Sequence, residues 1–586
     1  MKNRAEGVVS RIISEVIQEC SSRGEDVSET VAAYMVKAVV LDPDSGFLPD
    51  KPLKKEDVHR LIKLCANRLM DKEHPTVDTI KMQVAFELNH VTKNEFLEEH
   101  HRVMQTRLEP VTQEAIEARG RTRDELQDVY RRIISAVLLQ SGLGSPTNIE
   151  VVRETTAALQ SIFPQSDLGT FLALNASQKR NQISEFTGIV IGIRLFNKDS
   201  GRGGAGIDDL PYLLAQGIPM TLNTLQDELK TAKELAAVYA SLFLKICAID
   251  PTPGSLSSSN ITAAAAESMG ITPELLRIAV VNARQYETFL LVLERDLIEM
   301  TANVERLCNN FNARMKELHE LIRDRQSVPS MDVYPGFMEL SRIWGDLQDA
   351  MVMLSALTTT LSTIQSLFVG RRLKWQREKL LGLISDSEVI YDDRIKKHGP
   401  ISEAEQGNFT WIFPDPQTDI SKLNIEFNGF CAWSLIKYQG LLVRPDLSLG
   451  CLFIPSENRM YAFSSAEAVQ DFVLAMDRML SALPEIMRRL PELIQFLKIG
   501  QSNSKTVSGS RDASFIEKPY GQVDAEMQTE VHPIESYIDT NYEWNEWELR
   551  KKALKLANLR RKATRSVQTI LSNWRRDNAT QVYLLK

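Results

Sequence analysis

The 586-residue sequence has no paired cysteines, no long apolar run and no reactive motif. Each absence narrows what the chain can be. Its six cysteines, Cys20, Cys65, Cys247, Cys308, Cys431 and Cys451, are scattered without a C-x-x-C pair. That spacing argues against a disulfide framework or a zinc site and predicts reduced thiols in a cytosolic compartment. No apolar stretch approaches the roughly 20 residues that a spanning helix needs, so no membrane span is expected. Near the N-terminus Val8, Val9, Ile12, Ile13, Val16 and Ile17 share a helical face, but Arg11 and Glu15 interrupt them. A secretory leader would be unbroken, so this segment reads as an amphipathic core helix of a soluble, intracellular protein.

Motifs that would carry chemistry fail one by one. There is no G-x-S-x-G, Walker or kinase signature. The loop from Asp42 to Asp50 invites comparison with a calcium loop, but Phe47 stands at the turn-glycine position and Leu53 where a bidentate Glu belongs. It reads as a polar interhelical turn. His90, His100 and His101 lack the i, i+3 or i, i+4 spacing that puts two imidazoles on one helix face, so a solvated face is expected. Gly201-Arg-Gly-Gly-Ala-Gly206 resembles a phosphate loop in composition only. Where a P-loop needs Lys and then Ser or Thr, Gly206 is followed by Ile207, Asp208 and Asp209, whose acids would repel a phosphate, so a flexible connection is predicted. Cys431 sits among aromatics with no histidine near it in sequence, as a buried structural thiol would. No catalytic, cofactor or metal residues are assigned, and an enzyme is not expected.

What the sequence has is helix. Residues 1–140 read as an N-terminal helical domain, with Asp26 and Glu29 as a capping box, and 145–270 as a second helical region. In 271–398, Thr272-Pro273-Glu274 supplies an N-cap, an N1 proline and a first-turn acid. From there Tyr286, Leu290, Leu293, Leu297, Met300, Val304, Leu307 and Phe311 keep a strict 4-3 spacing, and Met315, Leu318 and Ile322 extend it. After a loop holding Pro329, Pro335 and Gly336, a second stripe runs through Leu340, Trp344, Leu347, Met351, Leu354, Leu357, Leu361, Ile364 and Phe368. Two such stripes predict a long antiparallel helical hairpin, standing as a rod or folded into a bundle.

Residues 408–498 break the helical pattern. Thr410–Phe413, Ile425–Leu435, Gly440–Val443, Cys451–Ile454 and Met460–Phe463 alternate with Gly, Pro and Asn punctuation and read as strands. Ser464 with Glu467 would then cap a helix. The fold class is therefore predominantly α-helical: a long hairpin, one small α+β module and a basic C-terminal helix.

Residues 501–535 are polar and without periodicity, as a linker is. In 536–586, Arg550, Lys551, Lys552, Lys555, Arg560, Arg561, Lys562, Arg565, Arg575 and Arg576 fall in a stretch without one acid. Against a formal net charge of −8, those cations leave the rest of the chain distinctly acidic. Leu556, Leu559, Val567, Ile570 and Trp574 form an apolar stripe on the same helix, a candidate docking face. Such a helix suits an acidic surface: tubulin, nucleic acid, an anionic membrane or a calmodulin-like groove. It also suits the chain's own acids, since Glu535, Asp539, Glu543, Glu546 and Glu548 lie just upstream.

Asn428-Gly-Phe-Cys-Ala-Trp-Ser-Leu435, Gly440-Leu-Leu-Val443 and Tyr461-Ala-Phe-Ser-Ser465, with Asn541-Tyr-Glu-Trp-Asn-Glu-Trp-Glu-Leu549 and Gln581-Val-Tyr583, resemble the cilia- and flagella-associated protein 206 family. The likeness covers nearly the whole chain. It implies a structural adapter of the axoneme in cytoplasm and cytoskeleton, with the basal body as a further site. Its implied partners are the tubulin of the doublet microtubule, radial spoke proteins (the second spoke of each repeat) and inner dynein arm components. Neither nucleic acid nor a cofactor is implied. The alternative is a soluble scaffold whose basic tail binds nucleic acid or an anionic membrane.

Overall fold

The computed structural model describes residues 2–47, 55–71, 75–90, 93–247, 271–322, 328–372, 380, 382–383, 410–412, 425–454 and 459–499. Among these residues the molecule is mostly helical, with one small three-stranded antiparallel sheet. Helix Lys2–Ser22 belongs to a unit separate from Gly24–Ile499. It buries Ile12, Ile13, Val16 and Cys20, while Val9 is exposed.

Within Gly24–Ile499 the organising element is the 50-residue helix Pro273–Ile322, about 75 Å long at 1.5 Å per residue. Thr272 caps it, its Oγ1 accepting from the Leu275 amide at 3.2 Å. The 37-residue helix Ser330–Ser366 returns beside it. Ring pairs Phe311–Trp344 (5.8 Å) and Tyr286–Phe368 (4.5 Å), with the Arg314–Glu339 ion pair (2.8 Å), fix an antiparallel register: as one number rises the other falls in step. Pro335 and Gly336 lie inside this second helix, not in the connecting loop. Gly336 lets Leu318 sit close, and a Cβ there would meet Leu318 Cδ2 at 2.6 Å, so that side chain would have to shift.

The hairpin is sheathed, and so is not a bare rod. Helices Leu210–Cys247, Ala176–Asp199 and Pro75–Asn89 pack along it. The approach of Ala176–Asp199 depends on Gly192. A Cβ on Gly192 would lie 2.3 Å from the Phe337 carbonyl oxygen, which no rotamer change relieves. One apolar cluster then runs from Met82 through both long helices to Leu497. A second, from Ala115 to Val190, fills the bundle of Lys93–Glu117, Arg123–Ser141, Ile149–Ile162 and Ala176–Asp199.

The sheet has strands β1 (Thr410–Ile412), β2 (Cys451–Ile454) and β3 (Arg459–Tyr461), with β2 central; Trp411 faces Leu452 and Leu452 faces Tyr461. Two expected strands are otherwise folded. Ile425–Leu435 forms a 3₁₀ turn, Glu426–Gly429, and a short helix, Ala432–Lys437. Phe427 and Asn428 take left-handed angles (φ 57° and 56°) before Gly429 (φ 80°), which turns the chain instead of extending it. Ala432 to Ile436 are all buried, so no face is wet and no periodicity could reveal the helix. Gly440–Val443 is likewise not a strand. Gly440 (φ 112°) ends that helix, its amide donating to the Leu435 carbonyl at 2.7 Å.

Two caps also move by a residue or two. Ser28, not Asp26, caps Glu29–Leu41, its hydroxyl accepting from Val31, with buried Val27 just before it. Ser465, not Ser464, caps Ala466–Leu474, accepting from Ala468 at 3.2 Å. Glu467 is then one position short of closing a capping box.

Candidate functional site

All the tail positions predicted to meet an acidic surface, Arg550 to Arg576, and the docking stripe Leu556 to Trp574, lie outside the described residues. The polar groups that the fold does bring together form a buried seam on the first turns of the Pro273–Ile322 helix. From Ile278 to Glu287 every residue of that helix is buried, whatever its polarity.

The seam's centre is an ion triad. Glu287 accepts from Arg284 Nη1 at 2.7 Å and from Arg444 Nη2 at 2.9 Å. Arg284 and Glu287 are only 2% and 1% exposed. Burial alone would raise the Glu287 carboxyl, but the two guanidinium groups outweigh it and hold the group below its ordinary range. Arg444 reaches across from the α+β module, with its guanidinium 4.8 Å from the Phe430 ring centroid.

One turn away the same helix takes hold of the N-terminal helices. Asn282 Nδ2 donates to Thr79 Oγ1 at 3.0 Å, and Gln285 Nε2 to the Thr79 carbonyl at 2.9 Å. Gln83 Nε2 donates to Gln285 Oε1 and to the Glu492 carbonyl, both at 2.6 Å. Tyr34 donates its hydroxyl to the Pro491 carbonyl at 2.6 Å. Segments more than 400 residues apart in sequence are thus joined directly.

Glu492 closes the seam. Full burial raises its carboxyl to about 7, against the lowering pull of its own amide, Arg277 and Arg68. Glu492 Oε1 and Gln83 Oε1 have no donor, so a neutral, protonated Glu492 would supply one to a cluster rich in acceptors. An aromatic series runs beside it: Phe86 stacks on Phe289 at 4.0 Å, and Phe496 packs edge-on against Phe289 at 6.4 Å and tilted against Phe430 at 5.9 Å.

The motifs weighed in the sequence are taken up by the fold. Asp42 accepts from Arg68 at 2.5 Å and from Ser45 at 3.2 Å. His90 pairs with Asp296 at 2.9 Å and His101 with Asp349 at 2.8 Å, on different helices. The glycine loop is not the free connection expected. Its Gly204 and Ala205 amides donate to Glu154 at 3.1 and 3.3 Å, and buried Arg194 donates to the Ala205 and Leu143 carbonyls, both at 2.7 Å. The loop does cradle an anion, and that anion is the chain's own carboxylate. Cys431 is buried, with the Ser464 hydroxyl donating to its sulfur at 3.3 Å. Among the described residues no three His, Cys, Asp or Glu converge as a metal site, and no helix is long and apolar enough to cross a membrane.

A helical scaffold, its early and late segments fastened to one long helix through a buried polar seam, is the class of protein these features define. The FAP206 family model, a domain of unknown function, matches residues 213–503, which include the long hairpin and the α+β module. Cilia- and flagella-associated protein 206 of Bos taurus and that of Homo sapiens are each 41% identical to this chain, over 99% of it and 92% of their own length. The protein of that name from Tetrahymena thermophila is 25% identical over 99% of this chain and 91% of its own length. The chain belongs to the cilia- and flagella-associated protein 206 family. No solved structure matches it.

Proposed function

We propose that this chain is a non-enzymatic structural adapter of the motile axoneme. In this reading it anchors the second radial spoke of each repeat and the neighbouring inner dynein arm to the doublet microtubule, and so supports ciliary and sperm motility. The observation that carries the reading is similarity over 99% of the chain to proteins named for cilia and flagella, from cattle to a ciliate. The seam is consistent with it: Arg284, Glu287 and Arg444 are consumed in holding segments together, as a spacer under load requires. The basic tail, 536–586, is proposed as the microtubule contact, with 501–535 linking it to the body.

Co-sedimentation with microtubules at low and physiological salt tests the contact, alongside localisation of the tagged chain along cilia. Arg560, Arg561, Lys562 and Arg565 replaced by Glu should sharply weaken binding, and salt should weaken the wild type. Leu556, Leu559 and Val567 replaced by Ser tests the apolar stripe. Binding that survives charge reversal and ignores salt would move the contact out of the tail.

A further inference from the structure

The glycine loop between helices Ala176–Asp199 and Leu210–Cys247 holds its anion as a ligand site holds a ligand. Glu154, on helix Ile149–Ile162, places one carboxylate oxygen, Oε1, on three donors: the Gly204 amide at 3.1 Å, the Ala205 amide at 3.3 Å and Arg194 Nη2 at 3.4 Å. The Ala205 amide also reaches Oε2 at 3.4 Å. Successive amides aimed at one point form a nest, a backbone concavity that takes phosphates and other anions. Gly204, at φ 98°, supplies the left-handed turn this needs, and a Cβ on Gly203 would crowd Glu154 Oε2 at 3.0 Å.

The third donor is set deeper than an anchor for a surface loop needs to be. Arg194 is 1% exposed, its Nη1 and Nη2 donate to the Leu143 and Ala205 carbonyls, and its Nε is buried without a partner among the described residues. Burial lowers its pKa, and Glu154 opposes that only in part. Glu154 is the carboxylate paired with this charge, yet its side chain is 24% exposed. The resting anion therefore has a side open to solvent, while the cation behind it has none. Net charge around the loop does not choose the ligand, since Arg153, Lys198 and Arg202 balance Glu150, Asp208 and Asp209. The directed donors choose it.

We infer that this loop is a gated oxyanion site. Glu154 is its resting occupant, and when that side chain turns out to solvent a phosphate-class oxyanion takes the same two amides and the Arg194 guanidinium. A phosphoryl group suits them because it brings several acceptor oxygens to donors that Glu154 satisfies mainly through one. The gate sets the affinity: a ligand that binds only the open state is weakened by the fraction of chains that are open. The site lies in the helical body, so it stands whether or not the basic tail meets a microtubule.

The test melts the full chain and its Glu154→Ala variant across a series of inorganic phosphate concentrations, with sodium chloride holding the ionic strength constant. In chloride alone Glu154→Ala should melt below wild type, because buried Arg194 loses its counter-charge. Phosphate should raise the variant's melting temperature saturably, by about 2 °C at ten times the half-saturating concentration. Wild type should need at least about tenfold more phosphate for the same shift. Adding Arg194→Met to Glu154→Ala leaves no buried charge and should abolish the saturable shift. O-phosphoserine as a second probe separates the sources: a shift with both means that a phosphorylated side chain fits, and a shift with phosphate alone confines the site to the free ion. If Glu154→Ala does not fold in chloride, phosphate should restore its folded circular dichroism, and failure to do so overturns the inference. A shift in Glu154→Ala that does not saturate, an equal shift in wild type, or one that persists in the double variant would overturn it as well.

Discussion

The two halves of the Pro273–Ile322 helix are built on different rules. From Leu290 onward only one stripe is buried, Leu290, Leu293, Leu297, Met300, Val304, Leu307, Met315 and Leu318, while the rest of the surface is largely wet. From Ile278 to Glu287 the helix is enclosed on all sides, and Asn282, Arg284, Gln285 and Glu287 are enclosed with it. The second half is held by apolar packing against one face. The first is held by polar groups whose partners come from the N-terminal helices and the α+β module. The difference teaches that the same helix is a strut at one end and a fastener at the other.

The comparison breaks most sharply at the triad. Glu287→Ala would leave Arg284 buried without its counter-charge and should cost roughly 3–5 kcal/mol, read as a fall in the urea midpoint of the full chain. Arg284→Met, Glu287→Leu and Arg444→Met combined should recover most of that loss, because no isolated charge then remains. A Glu287→Ala variant as stable as wild type would show that the first half is not fastened by this triad.

In the second half the cost should follow the stripe. Leu297→Ala should lose roughly 2–5 kcal/mol, while Ile298→Ala, one residue on and 55% exposed, should stay within about 0.5 kcal/mol. Equal effects at the two positions in the same denaturation assay would mean that the strut half is enclosed as the fastener is.

The smallest effect depends on pH. The folded Glu492 carboxyl sits at about 7, above its ordinary 4.5, so the folded chain holds a proton that the unfolded chain gives up. Its contribution is full below about 4.5 and is lost as pH rises through 7, by up to about 3 kcal/mol at 1.36 kcal/mol per unit. Glu492→Gln keeps the shape without the charge. It should flatten the stability profile between pH 5 and 8 and make the variant more stable than wild type at pH 8. Thermal melts across that range check this, and a wild-type profile that rises with pH there would refute it.

Legibility in the sequence followed the same division. The strut half was plain because one wet side leaves a period. Leu293, Leu297, Met300, Val304 and Leu307 read as one stripe and are one stripe. The fastener half was hidden because its buried positions include Arg284, Gln285 and Glu287, which mimic a solvated face. Ala432–Lys437 was misread as a strand for the opposite reason, since a wholly buried run has no period at all. Of the seam, nothing in the sequence tied Tyr34 or Gln83 to the segment at Pro491 and Glu492. One weak signal existed: Arg284 and Glu287, three apart on an apolar helix, could have been read as a paired charge.

The sequence by itself determined the helical class, the hairpin with its stripes, the position of the three-stranded sheet and the family, because caps, turn residues and periodicity are local. Only the tertiary structure decided that the hairpin is sheathed and that Gly192 serves a helix crossing. It alone decided that the glycine loop closes on Glu154, and that segments some 400 residues apart meet on ten residues of one helix. Those outcomes rest on which distant group comes within hydrogen-bond reach of a buried one. An unpaired buried charge or amide costs more than its pair gains, so partner choice belongs to the packed whole and leaves no mark on the local pattern.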